Sequence, residues 1–219
     1  MNNQPLNAIF FRDFPNAHIP EILDELYLKR IYEPFLLGKK DLIIADFGAN
    51  IGLTAYYFKD FAGKVYAVEP SEAHFEELSK MVEFNKIDNI VPCKYAISNK
   101  NGTTKFYHSP NSTMFSLSEA TTNKNDFEQV ETITMDEFMK RNKLDHIDFL
   151  KLDVEGTECE LLASDEFKKW SPKIDVICGE WHQWAACNQI QFANMFKDLG
   201  YQFRWDHNTK AACFNAVRI

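Results

Sequence analysis

An α/β fold built on a mostly parallel sheet is predicted by three features of this 219-residue chain. Short apolar runs alternate with segments of helical spacing from Leu42 to Leu199, the order that parallel strands and crossover helices require. The first run, Leu42-Ile43-Ile44-Ala45, leads into the glycine turn Gly48-Ala49-Asn50-Ile51-Gly52. A carboxylate, Glu69, closes the next run seventeen residues past Gly52. A chain of this length buries roughly 70% of the surface its unfolded form exposes, so a core needs no metal or disulfide support.

Residues 1–19 carry Phe10, Phe11 and Phe14 among polar residues without periodicity, and read as an arm or a lid. From Pro20, Ile22, Leu23, Leu26, Tyr27 and Ile31 recur at helical spacing. Glu21 at the start and Lys29 and Arg30 near the end suit the helix dipole, so a helix closing before Pro34 is predicted. Residues 1–40 are thus assigned to an arm and a helix packing on the core, and 41–219 to the main domain.

Within that domain Leu42–Ala45 is a strand, and Leu53, Tyr56, Tyr57 and Phe61 mark a helix after the turn. Val65–Val68 is the second strand, Ser71 caps a helix running to about Asn85, and Ile90–Ile97 is the third strand. Periodicity then breaks down from about 98 to 131. Ser, Thr and Asn make up more than half of Ser98–Asn125, with short strands at Thr104–His108 and Gln129–Ile133. This is read as a polar insertion on the substrate side. Alternation resumes with a strand at Asp148–Leu152, a helix at Thr157–Ala163, a strand at Ile174–Cys178 and a helix at Gln189–Leu199. Tyr201–Trp205 and Ala211–Val217, separated by Asp206-His207-Asn208, end the chain as a hairpin.

Composition narrows the function. With 24 basic against 32 acidic side chains and a net charge of −8, and with no cluster of Lys and Arg, nucleic acid is an unlikely partner. No apolar stretch reaches the ~18 to 20 residues that cross a bilayer. Met1 to Phe11 lacks the pattern of a secretory signal, so a cytoplasmic protein without membrane attachment is expected. Five cysteines, an odd number with no C-x-x-C pair, suit reduced, buried thiols rather than a disulfide framework or a zinc site. The triplets Asn101-Gly102-Thr103 and Asn111-Ser112-Thr113 then read as chance matches to a glycosylation signal.

The glycine turn followed by an acid is the geometry of adenosine recognition: the glycines let backbone approach a ligand, and Glu69 accepts hydrogen bonds from ribose hydroxyls. Asn50 stands where a dinucleotide fingerprint has its middle glycine, and its side chain would crowd a pyrophosphate. That sets a nicotinamide dehydrogenase aside. S-adenosylmethionine carries adenosine without pyrophosphate, and Asp46 at the strand end would lie near its ammonium and sulfonium.

Asp46-Phe47-Gly48-Ala49-Asn50-Ile51-Gly52, Val68-Glu69-Pro70 and above all Ile147-Asp148-Phe149-Leu150-Lys151-Leu152-Asp153-Val154-Glu155-Gly156 resemble the FkbM-type methyltransferases, over about Asp41 to His182. The resemblance implies a class I methyltransferase (Rossmann-like) fold, a seven-stranded mostly parallel sheet with helices on both faces and an antiparallel last strand. It also implies S-adenosylmethionine as methyl donor and, for many members, O-methylation of sugar or natural-product hydroxyls. Carried over by position, Gly48, Asn50 and Gly52 face the methionine part, Glu69 the ribose, Ala96 and Ile97 the adenine, and Asp153 and Glu155 the reacting centre, with Pro70 also among the cofactor-binding residues. The insertion, with Asn111-Ser112-Thr113-Met114-Phe115-Ser116, is bulkier than the small serine-rich segment often seen there. Trp181 and Trp184 also crowd the end of the fifth strand.

Asp153 and Glu155 are two apart at one strand end, as are Glu180 and His182 at another, and residues two apart in an extended chain point to one side. Methyl transfer to a hydroxyl needs alignment and a place for the proton. His182 is the histidine that fits a base. A competing arrangement has Asp153, Glu180 and His182 hold a divalent cation such as magnesium that lowers the hydroxyl pKa. A third is structural, with Glu155 and Glu180 bonded to backbone and His182 capping the next helix. His18, His74, His108, His146 and His207 read as surface residues. Ser112, Thr113, Met114 and Phe115 would wall a polar acceptor, with Trp181 and Trp184 stacking on a sugar. The expected activity is O-methylation of a small-molecule, sugar or natural-product acceptor. The alternatives are a catalytically silent binding or scaffolding module, or a methyltransferase acting on protein or nucleic acid. Oligomeric state is not legible.

Overall fold

The computed structural model describes residues 19–107, 126–206 and 212–219. His18, His108, Ser112, Thr113, Met114, Phe115 and His207 lie outside them.

A seven-stranded sheet organises the chain, in the order β3-β2-β1-β7-β8-β10-β9. β1 (Leu42–Phe47) pairs in parallel with β2 (Ala62–Val68) on one side and β7 (Ile147–Leu152) on the other. β3 (Ile90–Cys93) extends the sheet beyond β2, and β8 (Ile174–Glu180) lies beside β7, both parallel. The last strand, β10 (Cys213–Arg218), is antiparallel to both β8 and β9 (Tyr201–Trp205), as the expected fold class requires.

Residues on β1 and β7 are buried on both faces because helices cover both, so these strands read as nearly unbroken apolar runs. Alternation still sorts them. Ala45, Phe47, Leu150 and Leu152 enter one core cluster, with Phe138, Phe192 and Phe196 from α5 (Met135–Arg141) and α8 (Gln189–Asp198). Ile44 and Phe149 enter the opposite cluster, with Phe58 of α3 (Leu53–Phe58) and Leu78 and Met81 of α4 (Glu72–Phe84). Leu26, Tyr32 and Leu36, all N-terminal to β1, belong to this second cluster too. Tyr32 meets Phe58 and Phe149 with ring centroids 5.3 and 5.7 Å apart.

Several expectations need correcting. The single helix from Pro20 is α1 (Ile19–Leu23) continued by a wider π-helical turn, Asp24–Leu28. That segment does close before Pro34, which opens a further short helix, α2 (Glu33–Leu36), where its missing N–H costs nothing. The run Ile90–Ile97 is two strands, with β4 (Ala96–Ile97) leaving the main sheet to pair with β6 (Phe127–Ile133). β6 also pairs antiparallel with β5 (Gly102–Tyr107), so a three-stranded sheet frames the insertion. α5, which follows β6, and α7 (Asp165–Trp170), which follows α6 (Glu158–Ala163), had no counterpart in the sequence reading. Ser71 precedes α4 but makes no capping hydrogen bond; Glu69 accepts its backbone amide instead, at 2.9 Å.

The expectation of five reduced thiols is overturned by a disulfide between Cys159 and Cys187. Their separation of 28 residues hid the pair, and the odd count leaves Cys93, Cys178 and Cys213 outside any disulfide. The cysteine argument for a reducing compartment falls with it. No helix among the described residues is long and apolar enough to cross a membrane.

Candidate active site

Chain order reverses at β1, where β2 and β3 lie on one side and β7 and β8 on the other. Open parallel sheets leave a crevice beyond the strand ends at such a point. A cavity of about 500 Å³ occupies it. Its walls come from the β1–α3 turn, the end of β2, β4, the ends of β7 and β8, and the N-terminal segment through Ile22, Glu25 and Tyr32.

The turn is built by close contact within the protein. Gly48 has φ +82°, and a Cβ there would fall 1.8 Å from the Asp153 carbonyl oxygen. Gly52, at φ +95°, would meet Met81 and Leu78 of α4 at 2.6 and 2.7 Å. Both glycines are therefore demanded by the packing of β7 and α4, not by the approach of a ligand. Asn50 takes the left-handed conformation at φ 50°, which asparagine tolerates, and its Oδ1 accepts the Ile51 amide at 2.7 Å. Gly52 is not on the cavity wall; Gly48, Asn50, Pro70, Ala96 and Ile97 are.

Glu69 ties the turn to the next strand. One carboxylate oxygen accepts the Asn50 amide at 2.8 Å and the other accepts the Ser71 amide. Each oxygen keeps a second lone-pair direction, and the carboxylate lines the cavity. His74, expected at the surface, is buried and lines the same cavity, with Nδ1 3.8 Å from Glu69 Oε1.

Asp46 is not on the wall either. It is fully buried, and its Oδ1 lies 3.3 Å from the Lys151 ammonium, which faces the cavity in its place. Lys151 also lies 3.2 Å from Asp153 Oδ2 and donates to the Gly48 carbonyl at 3.1 Å. Burial works against the Lys151 ammonium, but Asp153 and Asp46 outweigh it and hold its pKa above the ordinary value. Sequence reasoning assigned Lys151 no role, although a lysine between Leu150 and Leu152 in a buried strand is itself a signal.

The ends of β7 and β8 bring together Asp153, Glu155 and His182. His182 Nε2 is 3.4 Å from Glu155 Oε2 and 3.8 Å from Asp153 Oδ1, while Nδ1 is 2.8 Å from Glu158 Oε1. Glu158, which no sequence feature marked, is completely buried, and the same oxygen accepts the Val154 and Gly156 amides. Burial opposes a charge on His182, but the Glu158 hydrogen bond and the charges of Asp153, Glu158 and Glu155 prevail, raising its pKa to about 10. The surrounding carboxylates thus favour the charged ring, a form with no lone pair to accept the hydroxyl proton that a base would take. It caps no helix, since Asn188 and Gln191 form the capping box of α8.

Glu155 is pushed up to about 8 by burial and by Asp153, with His182 opposing. Glu180 is pushed up to about 7 by burial and then by Asp153. Glu180 lines the same cavity but is not in the tight trio of ligand-type atoms, so the cation set Asp153, Glu180 and His182 is not what the fold assembles. Burial works against the Asp153 carboxylate, yet Lys151 and His182 hold its pKa below the ordinary value.

The two tryptophans separate. Trp184 lies on the wall, its ring 4.9 Å from that of His182 and its indole N–H donating to the Glu155 carbonyl at 3.2 Å. Trp181, expected beside it, packs half-buried against the core: it donates to the Cys187 carbonyl at 3.2 Å and meets Trp205 with centroids 6.4 Å apart.

This sheet order, with a cavity at the β1 switch point and a carboxylate closing the second strand, is that of the class I methyltransferase fold. Residues 46–203 match the methyltransferase FkbM domain, and the chain belongs to that family. Methyltransferase sdnD of Sordaria araneosa is 25% identical over 217 residues, covering 84% of this chain and 83% of that one. Hexuronic acid methyltransferase AglP of Haloferax volcanii is 28% identical over 128 residues, 57% of this chain and half of its own. Among solved structures, magnesium protoporphyrin IX methyltransferase of Synechocystis PCC 6803, with bound S-adenosylmethionine, superposes with a TM-score of 0.55 at 12% identity. That match covers 96% of this chain and 88% of the other, and it carries the fold.

Proposed function

We propose that this methyltransferase acts on a hydroxyl oxygen of a small polar acceptor, a sugar or a polyhydroxylated natural product. The observation that carries this reading is the set of ionisable side chains at the ends of β7 and β8, gathered in the cavity that Glu69 also lines. The residues present fit the donor. Glu69, fixed by two backbone amides, offers its free lone pairs to ribose hydroxyls, with Pro70 beside it and Ala96 and Ile97 along the adenine. The backbone at Gly48 and Asn50, with Lys151 behind, faces the methionine part, and Asp153 adds negative charge for the sulfonium. When bound, S-adenosylmethionine supplies a methyl group on a positively charged sulfur.

The chain's own side chains then have to orient the acceptor and take its proton. Glu180, with a pKa near 7, is matched to accept a hydroxyl proton at neutral pH, whereas the His182 imidazolium is not. His182 instead holds Glu155 and Asp153 in place by charge. Trp184 offers a flat apolar surface on which a sugar ring can stack. Glu25, Asp153, Glu155 and Glu180 share the cavity with Lys151 and His182, so its wall offers both acceptors and donors of hydrogen bonds to a polar acceptor. The relative AglP, a hexuronic acid methyltransferase, supports a sugar acceptor.

The test is transfer of a labelled methyl group to a panel of neutral sugars, uronic acids, polyols, protein and RNA, with the product's methyl carbon assigned by NMR. The expected product is an O-methyl ether, with kcat rising as pH passes through about 7 and falling at least ~100-fold in Glu180→Gln. Label found only on nitrogen, or only in protein or RNA, would refute the reading.

A further inference from the structure

We infer that Glu25, carried by the segment before β1, sets acceptor specificity: its carboxylate holds a hydroxyl of the bound acceptor other than the one that is methylated. The inference rests on the hydroxyl acceptor proposed above and adds what that acceptor must carry, a second hydroxyl on the same molecule.

The match to the FkbM domain begins at Asp46, but the wall of the cavity begins earlier. Ile22, Glu25, Leu26, Ile31 and Tyr32 all line it, from a segment that precedes the matched residues. That segment is firmly seated. Leu26, Tyr32 and Leu36 are buried in the core cluster shared with α3 and α4, and Ile22 packs against Ile51 and Leu53 beside the glycine turn. The Tyr27 ring meets Tyr57 of α3 edge-on, with centroids 5.3 Å apart. Ile22, Glu25 and Leu26 stand at the helical spacing i, i+3 and i+4, and all three reach the cavity. An acid between two apolar residues on an inward face loses hydration, a cost that a polar group in the cavity offsets.

Neighbouring acids of the segment already have partners. Asp24 lies 2.9 Å from Lys29, and Glu33 lies 2.7 Å from Arg30. Among the described residues no hydrogen bond or ion pair reaches the carboxylate of Glu25, nor that of Glu180 at the end of β8. Burial raises the Glu25 pKa, with Lys29 opposing and Asp24, Asp153 and Asp206 adding to it. Glu25 is in turn among the charges that raise Glu180, after burial and Asp153. The three carboxylates Glu25, Asp153 and Glu180 are thus close enough to act on one bound molecule. Glu25 belongs to the acceptor's side of the cavity, with Glu180 and Trp184.

Two carboxylates with open lone pairs, on separate elements, suit a molecule with two hydroxyls. One hydroxyl loses its proton to Glu180, while the other stays protonated and donates to Glu25. Glu25 takes no part in the bond changes. By fixing the second hydroxyl it sets how the acceptor turns, and so which oxygen is presented for methylation.

The experiment measures methyl transfer by the unaltered enzyme, Glu25→Ala, Glu25→Gln and Asp24→Asn. Acceptors are myo-inositol, methyl glucopyranoside and the fastest acceptor of the panel above, each with its single-deoxy analogues. On the fastest acceptor, Glu25→Ala should raise KM roughly 10- to 100-fold, change kcat by less than about threefold, and spread methylation over further oxygens, assigned by NMR. Glu25→Gln keeps an acceptor oxygen without the charge and should fall between. Asp24→Asn, paired with Lys29 and off the cavity wall, should match the unaltered enzyme. One deoxy analogue should be as poor an acceptor for the unaltered enzyme as its parent is for Glu25→Ala, and should lose nothing further in that variant. A merely structural Glu25 would instead weaken every analogue alike. S-adenosylhomocysteine affinity, expected unchanged in all variants, reports an intact fold and donor pocket; should Glu25→Ala not fold, Glu25→Gln against the deoxy series makes the same test. Unchanged KM and product position in the folded Glu25 variants, or an equal loss with every deoxy analogue, would overturn the inference and leave the O-methyltransferase reading standing. No O-methyl product from any sugar, uronic acid or polyol with the unaltered enzyme would overturn both.

Discussion

Replacing Glu158 with glutamine keeps the side chain's size and removes its charge. One oxygen accepts three hydrogen bonds, from the Val154 and Gly156 amides and the His182 ring, and the residue has no exposure to water. A carboxamide oxygen can keep the two amides but cannot balance an imidazolium. A buried hydrogen bond to a charged group is worth about 1.5 to 3 kcal/mol, so the variant should be less stable by ~2 to 3 kcal/mol near neutral pH. For a chain of this size that lowers Tm by roughly 5 to 10 °C. The sign of the pH dependence follows from His182, whose pKa rises on folding from an ordinary 6.5 to about 10. Its contribution is complete below 6.5 and is lost as pH climbs through about 10. Urea denaturation of both proteins from pH 6 to pH 10, with the His182 ring followed by NMR, makes the comparison. The gap in stability should be widest at the acidic end and close toward pH 10. Equal denaturation midpoints throughout, or a His182 ring that titrates at its ordinary value in the unaltered protein, would refute the reasoning.

Other perturbations have equally definite outcomes. Glu69→Ala strands the Asn50 and Ser71 amides and deletes the proposed ribose acceptor, so calorimetry should show S-adenosylhomocysteine affinity reduced roughly 10- to 100-fold. Gly48→Ala places a methyl group 1.8 Å from the Asp153 carbonyl oxygen and should cost more than ~2 kcal/mol in a denaturant titration, with loss of donor binding. Alkylation of the denatured, unreduced protein should label three of its five cysteines, and all five only after reduction. Because 28 residues separate Cys159 from Cys187, reduction should cost on the order of 3 to 4 kcal/mol of stability.

The parts of this molecule legible in its sequence are those governed by local rules. The β1 run, the turn at Gly48 and Gly52, and the acid at Glu69 follow from apolar runs and glycine chemistry, and all three appear where the pattern puts them. Asn50 could be read as excluding a pyrophosphate. Its actual part, replacing a glycine in a left-handed turn, needed the backbone angle. What escaped depends on contacts distant in the chain. Glu158 looks like an ordinary first-turn acid until His182, 24 residues later, is seen bonded to it. Trp181 and Trp184 are three apart and look equivalent, yet one packs against the core and the other faces the cavity. The short helix that Pro34 opens was missed because a proline after a helix reads as a stop, and only the fold shows a new first turn there. The Cys159–Cys187 disulfide has no spacing signature at all.

Isothermal titration of the purified protein with S-adenosylhomocysteine, with NADH as the rival ligand, tests the central claim most directly. Saturable binding of one S-adenosylhomocysteine per chain, abolished or sharply weakened in Glu69→Ala, with no heat from NADH, is the expected result. Saturable heat from NADH with none from S-adenosylhomocysteine would contradict the account.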